Sequence, residues 1–291
     1  MENKLYSGII NSGKTQKIIN DVKEKINNNE SMLILDSKGE YKELFKGYEI
    51  IEFDMNNLDN FYGYNPFYES TLLYKDGKID ESIGVIINIG NKIFITKDEL
   101  DPFWNNNAKT LYTSICLYLL ETNNELNIKE IIKVAVANFD EFKEYVEKQD
   151  ILSTISILGT PVLNSPTETR SGIISVLNEK MSCFAHRPQL LEKMCINSNI
   201  ELKEKNQVIL FTNINQECFY NTILEIIMSQ TMDNIIKKKI KYNFILDNFN
   251  TLMNKKEFCN KLNYSLSNNV ETIVGVRNIE HINNKDLFKV M

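Results

Sequence analysis

One eight-residue run constrains this chain more than any other feature. Gly8-Ile9-Ile10-Asn11-Ser12-Gly13-Lys14-Thr15 matches G-x-x-x-x-G-K-[ST] at every defined position. It lies between a short apolar run, residues 5–10, and a segment at 14–26 with apolar residues at Ile18, Ile19, Val22 and Ile26. Alternating contexts of this kind predict strand, loop, helix. Glycines let a loop wrap a phosphate with backbone N–H groups, and the following helix presents its positive end to the same point. In such a loop Lys14 reaches the terminal phosphates and Thr15 offers a hydroxyl to Mg²⁺. The expected nucleotide-contacting set is Gly8, Asn11, Ser12, Gly13, Lys14, Thr15 and Gln16, and the expected cofactors are ATP and Mg²⁺.

The rest of the sheet is read from continuous apolar runs. Residues 31–36 and 48–53 predict two further buried strands, and the β-α-β-β order argues for a parallel sheet. From about residue 99 to 192 the periodicity turns helical, at 108–120, 128–136, 139–147 and 173–184. Strand-like runs return at 207–212, 242–247 and 271–276, with a long helix at about 220–239 between the first two. The expected fold class is α/β, a nucleotide-binding domain with a mainly parallel sheet and an inserted all-α domain. The expected boundaries are 1–95 and 196–291 for the two parts of the sheet domain, and 96–195 for the insertion.

A loop of this type works with a carboxylate at the end of another buried strand. Two strands end that way, Leu33-Ile34-Leu35-Asp36 and Phe244-Ile245-Leu246-Asp247. Asp247 is the better metal candidate, alongside Thr15, because Asn248 follows it where hydrolytic enzymes of this type place Glu. An amide cannot take a proton from water as a carboxylate can, so hydrolysis is less secure than binding.

Composition excludes several alternatives. Among 291 residues there are 33 basic and 39 acidic ones, a formal charge of -6, so bulk attraction to nucleic acid is excluded and DNA contact must be local. Five cysteines without a C-x-x-C pair read as reduced thiols. With two histidines, His186 and His281, a histidine-rich metal centre is excluded, and Cys183 near His186 reads as a packed thiol beside a surface imidazole. No apolar run approaches the ~20 residues of a membrane span, and the first residues do not resemble a signal peptide. The expected location is cytoplasmic. A small-molecule kinase would need an arginine-rich lid, but only Arg170, Arg187 and Arg277 are present.

These motifs together resemble the conjugative coupling proteins of type IV secretion, the TraG-like DNA-transfer ATPases of the FtsK/HerA motor superfamily. Asp36-Ser37-Lys38-Gly39-Glu40 is similar to the family's D-P-K-G-E, and Gly63-Tyr64-Asn65-Pro66-Phe67 to its Y-N-P-F segment. Asp101-Pro102-Phe103-Trp104 with Asn107 to Leu111 resembles its F-W-x-x-x-A-x-x-L entry to the helical domain. Leu246-Asp247-Asn248-Phe249 is similar to its Walker B sequence D-E-F. The resemblance implies a RecA-like P-loop fold, a homo- or hetero-hexameric ring, DNA as partner, and contacts with type IV secretion or relaxosome proteins. It implies ATP-driven DNA transfer, with Lys14, Asp247 and Arg277 as catalytic residues. Location at the inner face of the membrane would then come through partners, with no transmembrane segment of the chain's own. Asn248 and Arg277 depart from the family's Glu and Gln, and the missing Glu at Asn248 gives a hydrolysis-deficient assembly or regulatory subunit as the alternative.

Four further features have plainer readings beside functional ones. Lys237, Lys238, Lys239 and Lys241 fit a solvated helix end better than a DNA track. Trp104 beside Phe103 fits packing better than base stacking. Glu40, with Lys38, is a candidate contact to nucleotide, Mg²⁺ or a neighbouring protomer, and Glu40 is also the candidate substitute for the base missing at Asn248. Arg277 is the favoured one of the three arginines for a role at a neighbouring subunit's nucleotide, with an ordinary surface salt bridge as its plainer reading.

Overall fold

The computed structural model describes residues 3–9, 12–94, 102–214, 217–252, 255–267, 270–277 and 289–290. Asn11 of the loop, Asp101 and His281 lie outside the described residues. The chain opens with β1 (Lys4–Ser7), α1 (Lys14–Asn27), β2 (Met32–Asp36) and β3 (Glu49–Asp54). Eight helices follow: α2 (Tyr68–Lys75), α3 (Ile79–Ile93), α4 (Phe103–Glu121), α5 (Ile128–Val136), α6 (Phe139–Glu147), α7 (Thr154–Leu163), α8 (Thr167–Ala185) and α9 (Pro188–Lys193). The sheet resumes with β4 (Gln207–Thr212), α10 (Cys218–Lys238), β5 (Asn243–Leu246), α11 (Lys255–Ser267), β6 (Thr272–Val276) and β7 (Lys289–Val290).

The chain divides into two compact units, residues 1–62 with 199–291, and residues 63–198. The helical unit begins earlier than the boundary expected at residue 96, because α2 and α3 pack on each other and α3 packs on α4.

In the first unit seven strands form one sheet in the order β3-β4-β2-β5-β6-β1-β7, and every neighbouring pair is parallel. The residues of β2, β4, β5 and β6 are buried at every position, as a parallel sheet covered on both faces requires. That explains why these strands read as unbroken apolar runs and not as alternations. Ile18 and Val22 of α1 pack with Met32, Ile34, Val208, Leu210, Ile245 and Ile273 to fill one face. A buried carboxylate ties α1 to the first strand, since Asp21 accepts from Lys4 Nζ and Tyr6 Oη, each at 2.7 Å.

In the second unit all described regular elements are helices, and α4 is the most deeply packed. Its Ala108, Leu111, Tyr112, Ile115 and Cys116 are wholly buried. Asn127 and Ser153 cap α5 and α7 by accepting from the N–H of Glu130 and Ser156. The entering and leaving chains are clasped together around Asn65. Its amide donates to Leu126 O and Asn197 Oδ1 and accepts from Phe67 N, while its backbone N–H donates to Ile196 O at 2.8 Å. Among the described residues no helix is long and apolar enough to cross a membrane.

Candidate functional site

The strand order makes β2, β5, β6 and β1 consecutive, so the loops after their carboxyl ends converge. Ligand sites of open parallel sheets lie at such an edge. Gly8, Ser12, Gly13, Lys14, Thr15 and Gln16 follow β1, Asp36 to Tyr41 follow β2, Asp247 and Asn248 follow β5, and Arg277 follows β6. Gly8 N donates to Val276 O, which fastens the start of the loop to the end of β6.

Gly13 has φ 80° and ψ 11°, the left-handed region that only glycine enters without strain. It ends the loop and starts α1 without a side-chain cap, and the helix has no acid in its first turn. The leading N–H groups and the positive end of the helix dipole are therefore directed at the loop. Lys14 curls back over it, with Nζ 2.5 Å from Gly8 O, 2.8 Å from Ile9 O and 3.3 Å from Ser12 Oγ. Burial pulls the Lys14 pKa down, the charges of Lys38 and Arg277 add to the fall, and Asp247 opposes it. Lys14 therefore lies within electrostatic reach of Lys38, Arg277 and Asp247. Gln16 is exposed on the first turn of α1.

Asp247 is buried, and burial raises its pKa against the opposing hydrogen bonds from Thr15 and Tyr41 and the charge of Lys38. Tyr41 Oη donates to Asp247 Oδ2 at 3.1 Å. Asp36 has a different part. Its Oδ1 accepts from the N–H of Lys38, Gly39 and Glu40, and its Oδ2 from that of Tyr41. Those four bonds shape the D-S-K-G-E turn and set Lys38 and Tyr41 in place.

Asn248 is left-handed, with φ 63° and ψ 48°. Its carbonyl accepts from Thr251 N and Thr251 Oγ1, closing a short turn at 249–251. Arg277 is exposed and its N–H donates to Asn250 Oδ1 at 2.7 Å. Arg170 and Arg187 belong to the helical unit, where each donates to a nearby carbonyl, Leu163 O and Cys183 O. Trp104 is partly exposed, stands edge-on to Phe103, and lies so close over Gly172 that a Cβ there would meet the indole at 2.6 Å.

Sequence reasoning missed Tyr41 and Gly275. A Cβ on Gly275 would meet Asp247 Oδ1 at 3.0 Å and Ile18 Cδ1 at 2.9 Å, so this glycine makes room for the carboxylate. A glycine inside an otherwise apolar strand is the signal that marks such a close approach. Tyr41 carries no comparable signal.

The donor set fits a nucleoside polyphosphate with a divalent ion: N–H groups and three cations for phosphate oxygens, and a hydroxyl and a carboxylate for a hard cation. Fold and site together define a RecA-like P-loop protein. The chain belongs to the family of type IV secretion-system coupling protein DNA-binding domains, which matches residues 2–285. The bacterial conjugative coupling protein TrwB, truncated and with sulphate, has a similar structure, with a TM-score of 0.64 at 12% identity over 96% of this chain and 63% of that one. TrwB in complex with ADP and Mg²⁺ gives a TM-score of 0.67 at 12% identity, over 96% and 64%. VirB4 of Thermoanaerobacter pseudethanolicus gives 0.54 at 11% identity, over 98% and 72%. This chain thus spans under two thirds of the TrwB chains it matches. A comparison with curated protein sequences finds no match.

Proposed function

We propose that this chain binds ATP with Mg²⁺ at the loop after β1 and serves as an ATP-driven DNA-transfer subunit of the coupling-protein type. The observation that carries this reading is the uncapped start of α1, where Lys38 Nζ lies 3.1 Å from Thr15 Oγ1 and Lys14 lies within electrostatic reach of Asp247 and Arg277. Similar folds hold ADP with Mg²⁺ and a non-hydrolysable ATP analogue in TrwB. Backbone groups of Gly8, Asn11, Ser12, Gly13 and Gln16 would cradle the phosphates with Lys14. Thr15 and Asp247 would hold Mg²⁺, which when bound neutralises phosphate charge. Lys14, Asp247 and Arg277 are the proposed catalytic groups, Arg277 completing a neighbouring subunit's site in a homo- or hetero-hexameric ring. DNA, through local contacts, and type IV secretion or relaxosome proteins are the proposed partners, at the cytoplasmic face of the membrane.

A second reading is a nucleotide-binding assembly or regulatory subunit that does not hydrolyse ATP. Asn248 favours it, because an amide held in a closed turn gives water no base, a loss of roughly 10²- to 10⁴-fold in rate. ATP turnover with Mg²⁺ and DNA separates the two. Turnover by the wild type that Lys14→Ala abolishes supports the motor, with Glu40 as the base to test next. Silence in the wild type with activity gained in Asn248→Glu supports the regulatory subunit. Absence of nucleotide binding in the wild type sinks both.

A further inference from the structure

In the helical unit, the end of α4 carries a half-buried carboxylate that no described lysine or arginine pairs with. Tyr145 Oη donates to Glu121 Oε2 at 3.1 Å, and a neutral phenol leaves the charge unbalanced. Aromatic rings stand beside it. Tyr118, three residues earlier and so on the same face of α4, is the one residue of 111–120 that is not buried. Its ring lies edge-on to Tyr145, with centroids 5.1 Å apart, and to Phe142, at 5.6 Å.

Beyond Glu121 the chain turns at Asn123, which is left-handed with φ 56°, and Asn124 N donates to Leu119 O at 2.9 Å. That turn brings Glu125 back to the end of α4, where it lines a cavity of about 240 Å³ with Leu120, Tyr68 and Tyr74. Burial and the Glu121 charge together raise the Tyr74 pKa, so the carboxylate acts on this wall of the cavity. Lys75, exposed at the end of α2, also lines the cavity and is outnumbered there by Glu121 and Glu125.

A carboxylate beside tyrosine rings attracts a cation twice, through a charge-assisted hydrogen bond and through the negative faces of the rings. An anion would meet two acids, and an apolar ligand would bury Glu121 without a partner. Packing alone would be served by glutamine, which accepts from a phenol and carries no charge to desolvate. We propose that this site at the end of α4 binds an organic cation, a guanidinium or alkylammonium group, held by the Glu121 carboxylate and the tyrosine rings beside it. Such a group is carried by a basic side chain of a protein partner or by a free polyamine.

Ligand-observed NMR titration of the intact chain tests the inference with three probes: N-acetyl-Gly-Arg-Gly amide, the same peptide with citrulline, and spermidine. Citrulline keeps the shape of arginine without its charge. One of the two cations is expected to bind about 10-fold or more tighter than the citrulline peptide. Preference for the arginine peptide assigns the source to a protein, and preference for spermidine to a free polyamine. Glu121→Gln and Tyr118→Leu should each weaken that binding about 10-fold, with a cooperative melt of Glu121→Gln showing that the loss is not unfolding. Glu144→Gln, which removes an exposed charge of α6 paired with Lys148, should match the wild type. Cations that bind no better than the citrulline peptide overturn the proposal, and so does cation binding that either Glu121→Gln or Tyr118→Leu leaves unchanged.

Discussion

Tyr41 Oη donates to Asp247 Oδ2 across 3.1 Å, joining the turn after β2 to the end of β5 through two buried side chains. Asp36 holds the same turn by its backbone, so one carboxylate positions the phenol and the phenol positions the other carboxylate. Tyr41→Phe keeps the ring and removes the donor. It should lower stability by about 1–2 kcal/mol in denaturant unfolding and weaken Mg²⁺-dependent nucleotide binding. Unchanged stability would mean that the phenol contributes packing alone.

Gly275 sits against Asp247 and Ile18 with no space for a methyl group. Gly275→Ala should cost about 1–3 kcal/mol and displace the carboxylate, with nucleotide affinity falling in parallel. Gly84, inside α3, has nothing within 4 Å of an added Cβ. Gly84→Ala should therefore raise stability by about 0.5–1 kcal/mol. A melting experiment on both variants shows whether crowding or glycine content decides the sign.

The left-handed backbone at Asn248 sets a conformational condition on restoring a carboxylate there. Asparagine tolerates this region better than other side chains, so Asn248→Glu should lose about 1 kcal/mol while Asn248→Gly loses none. If Asn248→Glu is as stable as the wild type, the turn at 249–251 has rearranged to take it.

Glu121 at the end of α4 offers a pH test remote from the loop. Burial raises its pKa above the ordinary value of 4.5, although a hydrogen bond from Tyr145 at 3.1 Å acts the other way. A carboxyl whose folded pKa is raised contributes stability that is complete below the unfolded value and is lost as pH rises through the folded one. Gln resembles the protonated form and still accepts from Tyr145. Glu121→Gln should melt above the wild type at pH 7, and the gap should close toward pH 4. A gap of equal size at both pH values would assign the effect to packing.

Much of the sheet was legible because parallel strands are buried on both faces. Residues 207–212 match β4 at both ends, and 128–136 and 139–147 match α5 and α6. The run at 271–276 begins one residue before β6, whereas 5–10 extends past the end of β1 into the loop. Helices α2, α3 and α11 were not legible, and α7 and α9 were legible only as part of the helical stretch at 99–192. α7 contains Pro161, which reads as a breaker, and α2 and α9 are too short to show a period. At the site, the loop after β1 and Asp247 could be read because spacing and strand context specify them. Asp36 showed its position but not its task, since a carboxylate bound by N–H groups and one awaiting a ligand look alike in sequence. Tyr41 and Gly275 act through contacts made only when distant segments meet.

The clasp at Asn65 bears on the order in which the molecule assembles. β3 and β4 are neighbours in the sheet, yet the whole helical unit separates them along the chain. Before that unit forms, pairing them means closing a very long loop, whose entropic cost rises with the logarithm of its length. Once Asn65 has joined residues 126 and 197, the effective loop is short and β4 is delivered beside β3. Asn65→Ala should therefore slow refolding, as read by stopped-flow fluorescence, more than it speeds unfolding. An amide with no part in the chemistry of the phosphate loop would then govern how fast the strands that support that loop come together.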